Sequence, residues 1–472
     1  MHPLHALGCL VALVLAPSSP WARIQDDPDG RPNFILILLD DAGWGDFACY
    51  GNWHVQTPRI DRMAEEGQLL TRFYVNAAVC SPSRLAFLTG RYPGRLGVHG
   101  VTWGSAKSGM GTEPAETPWL SELLSEAGYR TGHFGKWHLG HRSAGPPPDA
   151  YGFDEHRTLV SPGPGWEDRD NDWIARSDAE IFGEALRFLD ERDDRPFYLN
   201  VWSMLPHTPI APSEEQMNVG HYRNMKAAGH SGPLERFPTP MRQYDATLTE
   251  IDRQLGLLLD KLDELGLAEN TLVLVSSDNG PENLVPRRNA SVGSTGPFRG
   301  RKRNLYEGGI RVPCVLRWPG VVPAGRVSGA ILSGVDWMPT VCALAGVPLP
   351  EGIELDGLDV TAALRGGDLT RPRPLFWENR LDQGGIYPLN RSPMLAACAG
   401  RWKLLMNPDR SRVELYDLEA DPMEVDSVAR EHPEVVESLA AELLAFHRSL
   451  PEGPIAPGAG DNAFEWPRGR DE

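Results

Sequence analysis

The sequence predicts an α/β fold: a large, mostly parallel sheet sandwiched by helices, followed by a small C-terminal antiparallel sheet with one helix. Three observations predict it. Two short apolar runs, residues 34–39 in PNFILILLDD and 272–275 in NTLVLVSSDNG, end in acidic or amide residues. Runs that short, rich in Ile, Leu and Val, suit strands buried on both faces of a parallel sheet. Helix-period segments lie between the strand-like ones, and such alternation builds a layered α/β domain. After about residue 370 the pattern changes to short strand-like pieces separated by turns, closed by one amphipathic segment.

Taken in order, residues 1–22 carry an apolar run over 6–16, of signal-peptide length and too short to span a membrane. They are read as a signal peptide for export, with Ala16 and Ala22 as alternative cleavage points, and no later segment is apolar enough to span. Residues 31–370 form the main α/β domain. Within it, TPWLSELLSEAGY predicts a helix with Thr117 as N-cap and Pro118 at the first helical position, stopping near Gly128. DAEIFGEALRFLDER and MRQYDATLTEIDRQLGLLLDKLDELG predict two more helices, and RPFYLNVWSM and VPCVLRWPG two more strands. The stretch 208–240 has weak periodicity and reads as an insertion on the substrate side. In residues 371–450, RPLFWENR, MLAACAGRWKLLM and RVELYDLEADP predict the small sheet, and PEVVESLAAELLAFHRSL its helix. Residues 451–472, rich in Pro, Gly and charge, predict a disordered tail.

Over 472 residues, 41% hydrophobic and 23% charged content is that of a soluble globular protein. A net charge of −18 argues against nucleic acid as a partner but leaves room for a local cationic pocket and an anionic substrate. Six cysteines, at positions 9, 49, 80, 314, 342 and 398, form no Cys-x-x-Cys pair and are too scattered for a disulfide scaffold.

In open α/β sheets, ligands gather beyond the carboxyl ends of the strands. Asp40 and Asp41 end one strand and Asp278 and Asn279 follow another, offering only hard oxygen donors. Such a set suits Ca²⁺ or Mg²⁺ better than Zn²⁺. Each pair alone is also a common turn sequence; two pairs at equivalent strand ends point to a cation. GKWHLGHR supplies Lys136 and His138, MLPHTPI supplies His207, and RGRKRNLYEGGIRVP supplies Lys302. Singly, such residues are most often satisfied or solvated. Cys80, in CSPSRLAFLTGR, stands directly ahead of an apolar helix-like segment. The residue alone leaves open buried filler, a nucleophile, a metal ligand or the precursor of a modified group.

Together these stretches resemble the type I sulfatases of the alkaline-phosphatase-like superfamily, from about residue 32 to 429 and in the family's order. PNFILILLDDAGWGD, CSPSRLAFLTGR, GKWHLG, PHTP, SDNG, GPFRGRKRNLYEGGIRVP and LYDLEADPMEVDSVA carry the resemblance, the Cys-x-Pro-x-Arg core most specifically. It implies a sulfuric ester hydrolase whose Cys80 is converted by maturation machinery to formylglycine (3-oxoalanine), a hydrated aldehyde. One hydroxyl of the diol attacks sulfur, and the second expels sulfate by collapsing back to aldehyde.

Carried over residue by residue, Asp40, Asp41, Asp278 and Asn279 look like the ligands of one Ca²⁺, with the modified Cys80 also touching it. Arg84 looks like the residue that fixes the diol, and Lys136 and Lys302 like the sulfate-binding lysines. His207 would protonate the leaving alcohol and His138 would take the second hydroxyl proton. Details resemble arylsulfatases and hexosamine-6-sulfatases, which implies a sulfated carbohydrate and aryl sulfates as substrates. Many relatives have Arg-Gly-Gly-Lys where this chain has Arg299-Gly300-Arg301-Lys302. Arg301, with Arg303, Arg287 and Arg288, is either a contact for further anionic groups or a solvated cluster. The rival readings are a phosphate or phosphonate ester hydrolase on the same scaffold, and a non-catalytic binder of sulfated glycans.

Overall fold

A computed structural model describes residues 30–101, 117–139, 146–159, 173–218, 239–283, 292–381 and 390–462. The signal segment, residues 219–238 of the expected insertion, Arg287, Arg288 and residues 463–472 lie outside the described residues. The first apolar run becomes strand β1 (Asn33–Leu39). Its Phe34, Leu36 and Leu38 pack into one core and its Ile35, Ile37 and Leu39 into another. A strand covered on both faces has no polar positions to spare, which is why it reads as an unbroken apolar run.

The other strands of this sheet are β2 (Gln68–Tyr74), β3 (Arg130–Lys136), β4 (Glu155–Leu159), β5 (Phe197–Trp202), β6 (Thr271–Ser277), β7 (Arg311–Arg317), β8 (Arg326–Ser328) and β9 (Leu332–Ser333). Their order is β4-β3-β5-β1-β6-β7-β2-β8, with β9 also on β2. From β4 to β6 every neighbouring pair is parallel. Strand β7 runs against both β6 and β2. The carboxyl ends of β3, β5, β1, β6 and β2 therefore share one edge. The reversed β7 brings the loop that precedes it to that same edge.

Helices cover both faces. Helix α1 (Pro58–Glu66) packs on one face and α2 (Cys80–Thr89) and α3 (Leu120–Glu126) on the other. Helices α4 (Trp173–Asp190) and α5 (Thr239–Glu264) join α1, while α6 (Trp337–Ala345) joins α2 and α3. Helix α3 starts later than Thr117 and Pro118 predict. Its N-cap is Trp119, whose amide is met by Glu122 at 3.1 Å, while the Thr117 hydroxyl accepts from Arg91 instead.

Strands β10 (Leu375–Glu378), β11 (Leu395–Ala399), β12 (Trp402–Met406) and β13 (Glu414–Asp417) form the expected antiparallel sheet. Helix α7 (Pro433–Ser449) packs on it through Leu439, Leu443 and Phe446. Of the tail expected from residue 451, residues 451–462 are described and form no helix or strand. There the Ala456 amide donates to the Arg380 carbonyl (2.9 Å), and the Gly460 carbonyl accepts from Arg412 Nη1 (2.7 Å). That segment finds backbone partners within itself and on residues flanking the strands of the small sheet. The five described cysteines are all free, and no described helix is long and apolar enough to cross a membrane.

Candidate active site

The shared edge collects the residues singled out in the sequence. Asp40 and Asp41 follow β1, Asp278 and Asn279 follow β6, Lys136 ends β3 and His138 lies just past it. Cys80 opens α2, whose first turn accepts Pro82 because a first-turn amide has no intrahelical partner anyway. Lys302 sits in the loop ahead of β7. Asp41 (φ 68°) and His138 (φ 59°) hold left-handed backbone that non-glycine residues seldom adopt, and such conformations gather at functional sites.

Three carboxylates, Asp40, Asp41 and Asp278, face three cations, Arg84, Lys136 and Lys302, and all six are buried. Lys136 Nζ donates to Asp40 Oδ2 at 2.6 Å and Lys302 Nζ to Asp41 Oδ1. Arg84 meets Asp278 Oδ2 through Nε at 2.9 Å and Nη2 at 2.6 Å. Burial pushes the Asp40 carboxyl up, but Lys136, His207, Arg84 and Lys302 together hold it far below the usual carboxylate range. Both lysines stay charged: burial opposes it, but Asp40 raises Lys136 and Asp41 raises Lys302.

The set leaves oxygen to spare. Asn279 Nδ2 donates to Asp41 Oδ1 (2.6 Å) and to the Gly280 carbonyl (2.8 Å), which fixes the amide orientation. Asn279 Oδ1, Asp40 Oδ1 and Asp41 Oδ2 are buried and accept no hydrogen bond. Buried oxygens are rarely left without a partner, and a hard divalent cation fits this donor set. Ligand atoms of Asp40, Asp41 and His207 also lie within 4.8 Å of one another. Asp278 is more fully used: its Oδ1 accepts the Asp41 amide at 3.2 Å and its Oδ2 meets Arg84. Further lone pairs on those oxygens remain available to a cation.

Cys80 Sγ lies 3.3 Å from His138 Nδ1. Burial pushes the Cys80 thiol up in spite of Lys136 and Lys302, so a thiolate is disfavoured here. Burial, then Lys136, pushes His138 well below the usual histidine range, so its ring is neutral at pH 7. His207 is half-buried, with Nδ1 2.5 Å from the Thr208 carbonyl and Nε2 3.6 Å from Asp41 Oδ2. A carbonyl only accepts, so Nδ1 carries the hydrogen and Nε2 faces the site.

Arg301, read from the sequence as either a contact for anionic groups or part of a solvated cluster, is tied to the backbone. Its Nε donates to the Glu282 carbonyl and its Nη2 to the Gly293 carbonyl, both at 2.8 Å. Arg303 pairs with the Glu282 carboxylate, with Nη2 3.0 Å from Oε2. Two neighbours escaped sequence reasoning. Ser277 Oγ accepts the Ala42 amide at 2.9 Å, and Asn283 Nδ2 donates to the Lys302 carbonyl at 2.8 Å. Ser277's adjacency to Asp278 was the available signal for the first; Asn283, four residues past Asn279, carried none.

The sulfatase family model matches residues 32–347, and the model for the C-terminal region of N-sulphoglucosamine sulphohydrolase matches residues 296–449. N-acetylgalactosamine-6-sulfatase of Canis lupus familiaris is 36% identical over 407 residues, covering 79% of this chain and 72% of the relative. Arylsulfatase A of Homo sapiens is 32% identical over 469 residues, covering 86% of each chain. The solved structure of Ps i-CgsB in complex with k-i-k-neocarrahexaose superposes with a TM-score of 0.75 at 25% identity, over 89% of this chain and 94% of that one. With a nine-stranded, mostly parallel sheet, a separate four-stranded antiparallel one and these matches, the chain belongs to the sulfatase family, on the alkaline-phosphatase-like fold.

Proposed function

We propose that this sulfatase-family enzyme hydrolyses a sulfate ester, R–O–SO₃⁻ plus water, to an alcohol and inorganic sulfate, with Cys80 carried as formylglycine. The observation that carries the reading is the packing of Cys80 against His138 on the edge that also holds Lys136 and Lys302. A sulfated carbohydrate is the substrate class, in keeping with the N-acetylgalactosamine-6-sulfatase relative and the carrahexaose bound to the structural neighbour, and aryl sulfates serve as reporters. Export through residues 1–22 and maturation by a formylglycine-generating machinery complete the proposal.

Cys80 Sγ stands for an oxygen on the same carbon of the matured residue. The hydrated aldehyde supplies a nucleophilic hydroxyl and an exit route for sulfate. Asp40, Asp41, Asp278 and Asn279, with the matured Cys80, would hold Ca²⁺, which would supply positive charge to acidify a hydroxyl and polarise the ester. The remaining work belongs to the chain's own side chains. Lys136 and Lys302 bind sulfate oxygens and stabilise their growing charge. Arg84 holds Asp278 and orients residue 80. His138, kept neutral by burial and by Lys136, takes a proton at the position of Cys80 Sγ. His207, at the rim, turns Nε2 toward the leaving oxygen and, as an imidazolium holding a hydrogen on each nitrogen, would give it the Nε2 proton.

The test is the mass of tryptic peptide 73–84 from protein made in its own host, with turnover of aryl sulfate and aryl phosphate. Aldehyde in place of thiol and preference for sulfate are expected, and Cys80→Ala should lose about 1,000-fold or more. An unmodified Cys80 in active protein would overturn the formylglycine route. Faster turnover of phosphate would overturn the sulfate assignment.

A further inference from the structure

We infer that the C-terminal subdomain takes part in the active site: Asn379, one residue past β10, is a positioning residue for Lys302. The inference rests on the proposed role of Lys302 as a sulfate-binding residue. Lys302 is followed by Arg303, whose φ of 73° is left-handed. A non-glycine residue holds that conformation only where its surroundings impose it. Four hydrogen bonds impose it here. The Lys302 amide donates to the Pro281 carbonyl (3.0 Å), and the Lys302 carbonyl accepts from Asn283 Nδ2 (2.8 Å). The Arg303 amide donates to the Ala78 carbonyl (2.8 Å), two residues before Cys80, and the Arg303 carbonyl accepts from Asn379 Nδ2 (2.7 Å).

Three of those partners belong to the α/β domain; Asn379 belongs to the small sheet. Its amide donates to the Met394 carbonyl at 2.8 Å, carrying the β10–β11 ladder one residue past Glu378. Its Oδ1 accepts the Leu381 amide at 3.1 Å, which fixes the carboxamide so that Nδ2 points at Arg303. Asn379 is 4% exposed. The same strand sends Trp377 Nε1 to the Val75 carbonyl at 2.7 Å, on the segment leading to Cys80. Strand β10 thus grips both the approach to Cys80 and the peptide after Lys302, and sets one against the other. An apolar residue would seal such an interface equally well; a buried carboxamide with one acceptor adds direction.

The experiment measures the dissociation constant of inorganic sulfate by calorimetry on the full chain, matured or not, alongside KM and kcat for an aryl sulfate. Asn379→Ala should weaken sulfate binding about ten-fold and raise KM in parallel, the scale expected of a slightly misplaced anchor. Asn379→Asp keeps the shape, loses the donor and sets a carboxylate against the carbonyl, so it should do at least as much; it replaces the alanine variant should that one not fold. Asn407→Ala, which removes hydrogen bonds to the Met394 amide and to Ser411 in the same subdomain, should leave both constants unchanged. Parent-like sulfate affinity in both Asn379 variants, with Lys302→Ala weakened, would overturn the positioning role and leave the Lys302 reading intact. Equal weakening in Asn407→Ala would also overturn it, as general loosening. Parent-like affinity in Lys302→Ala would remove the reading underneath.

Discussion

Two clusters of buried charge among the described residues are finished differently. At the strand edge, Asp40, Asp41 and Asp278 face Arg84, Lys136 and Lys302, yet three oxygens of that region accept no hydrogen bond. Between the two sheets, Lys403 on β12 lies 2.8 Å from both Glu307 Oε1 and Glu424 Oε1. Glu307 Oε2 accepts from Tyr74 (2.8 Å) and Arg311 (3.1 Å), and Glu424 Oε2 accepts the Glu307 amide (2.6 Å). Three of that second cluster's four carboxylate oxygens accept hydrogen bonds, and the fourth, Glu424 Oε1, has the Lys403 ammonium beside it at 2.8 Å. Asp40 Oδ1 and Asp41 Oδ2, by contrast, have Arg84 and His207 no nearer than 3.9 and 3.6 Å. The residue types and the burial match; the difference is closure. A closed cluster joins two subdomains, whereas an open one leaves oxygens available to a ligand.

The largest expected effects come from taking one lysine out of each. Lys403→Met leaves two buried carboxylates without their shared cation and should cost about 3–5 kcal/mol in urea unfolding. Burial pushes Glu424 up to about 7 while Lys403, against burial, holds Glu307 at about 2, so the pair depends on that ammonium. Lys136→Met should instead lower kcat/KM on aryl sulfate about 100-fold or more, with a much smaller change in stability when calcium is present. Equal losses of stability in the two variants would erase the distinction.

The open cluster was the more legible of the two in the sequence, for a physical reason. Its Asp40, Asp41, Asp278 and Lys136 sit at the ends of strands, and strands buried on both faces announce themselves, as residues 34–39 and 272–275 do. Strand topology then brings distant strand ends to one edge. The closed cluster has no such signature. Glu307, Lys403 and Glu424 come from three unrelated segments and meet only when the sheets dock. Strand β3, RTGHFGK, is buried throughout yet too polar to read as a strand. Its His133 is boxed in by Trp137, Phe153 and Trp202, contacts that only the folded chain brings together. For Arg301 the sequence left two readings open, and its hydrogen bonds to the Glu282 and Gly293 carbonyls were not legible there.

A middle-sized effect tests closure directly. Calcium at about 100 times its dissociation constant should stabilise the parent by about 2.7 kcal/mol, seen as a higher unfolding midpoint than in chelator. Asn279→Ala, which removes one of the three unpartnered oxygens, should shrink that gain, while Lys403→Met should keep it. A midpoint identical in calcium and chelator would mean that the strand edge needs no cation to complete it.

The smallest effect concerns another buried carboxyl, one that meets a hydroxyl. Asp178 on α4 lies fully buried, with Ser203 Oγ 2.7 and 2.8 Å from its two oxygens, and burial pushes it up to about 7. The Ser203 oxygen lies 3.1 Å from the Leu205 carbonyl, so Ser203 can give its hydrogen there and accept one from a protonated Asp178. A carboxyl raised in the fold favours the folded state while it stays protonated. As pH climbs from the ordinary carboxylate range toward 7, the unfolded chain ionises and the folded one does not. Stability is then lost at up to about 1.4 kcal/mol per pH unit from this group, and no further above 7. Asp252 and Asp46, raised by burial to about 7 and about 6, add slopes of the same sign. Urea unfolding between pH 5 and 8 should therefore show a falling slope in the parent and a shallower one in Asp178→Asn, whose amide has no proton to lose. An unchanged slope would mean that Asp178 is already ionised in the fold. Buried carboxylates would then persist here without a cation, and the unpartnered oxygens of the strand edge would no longer argue for one.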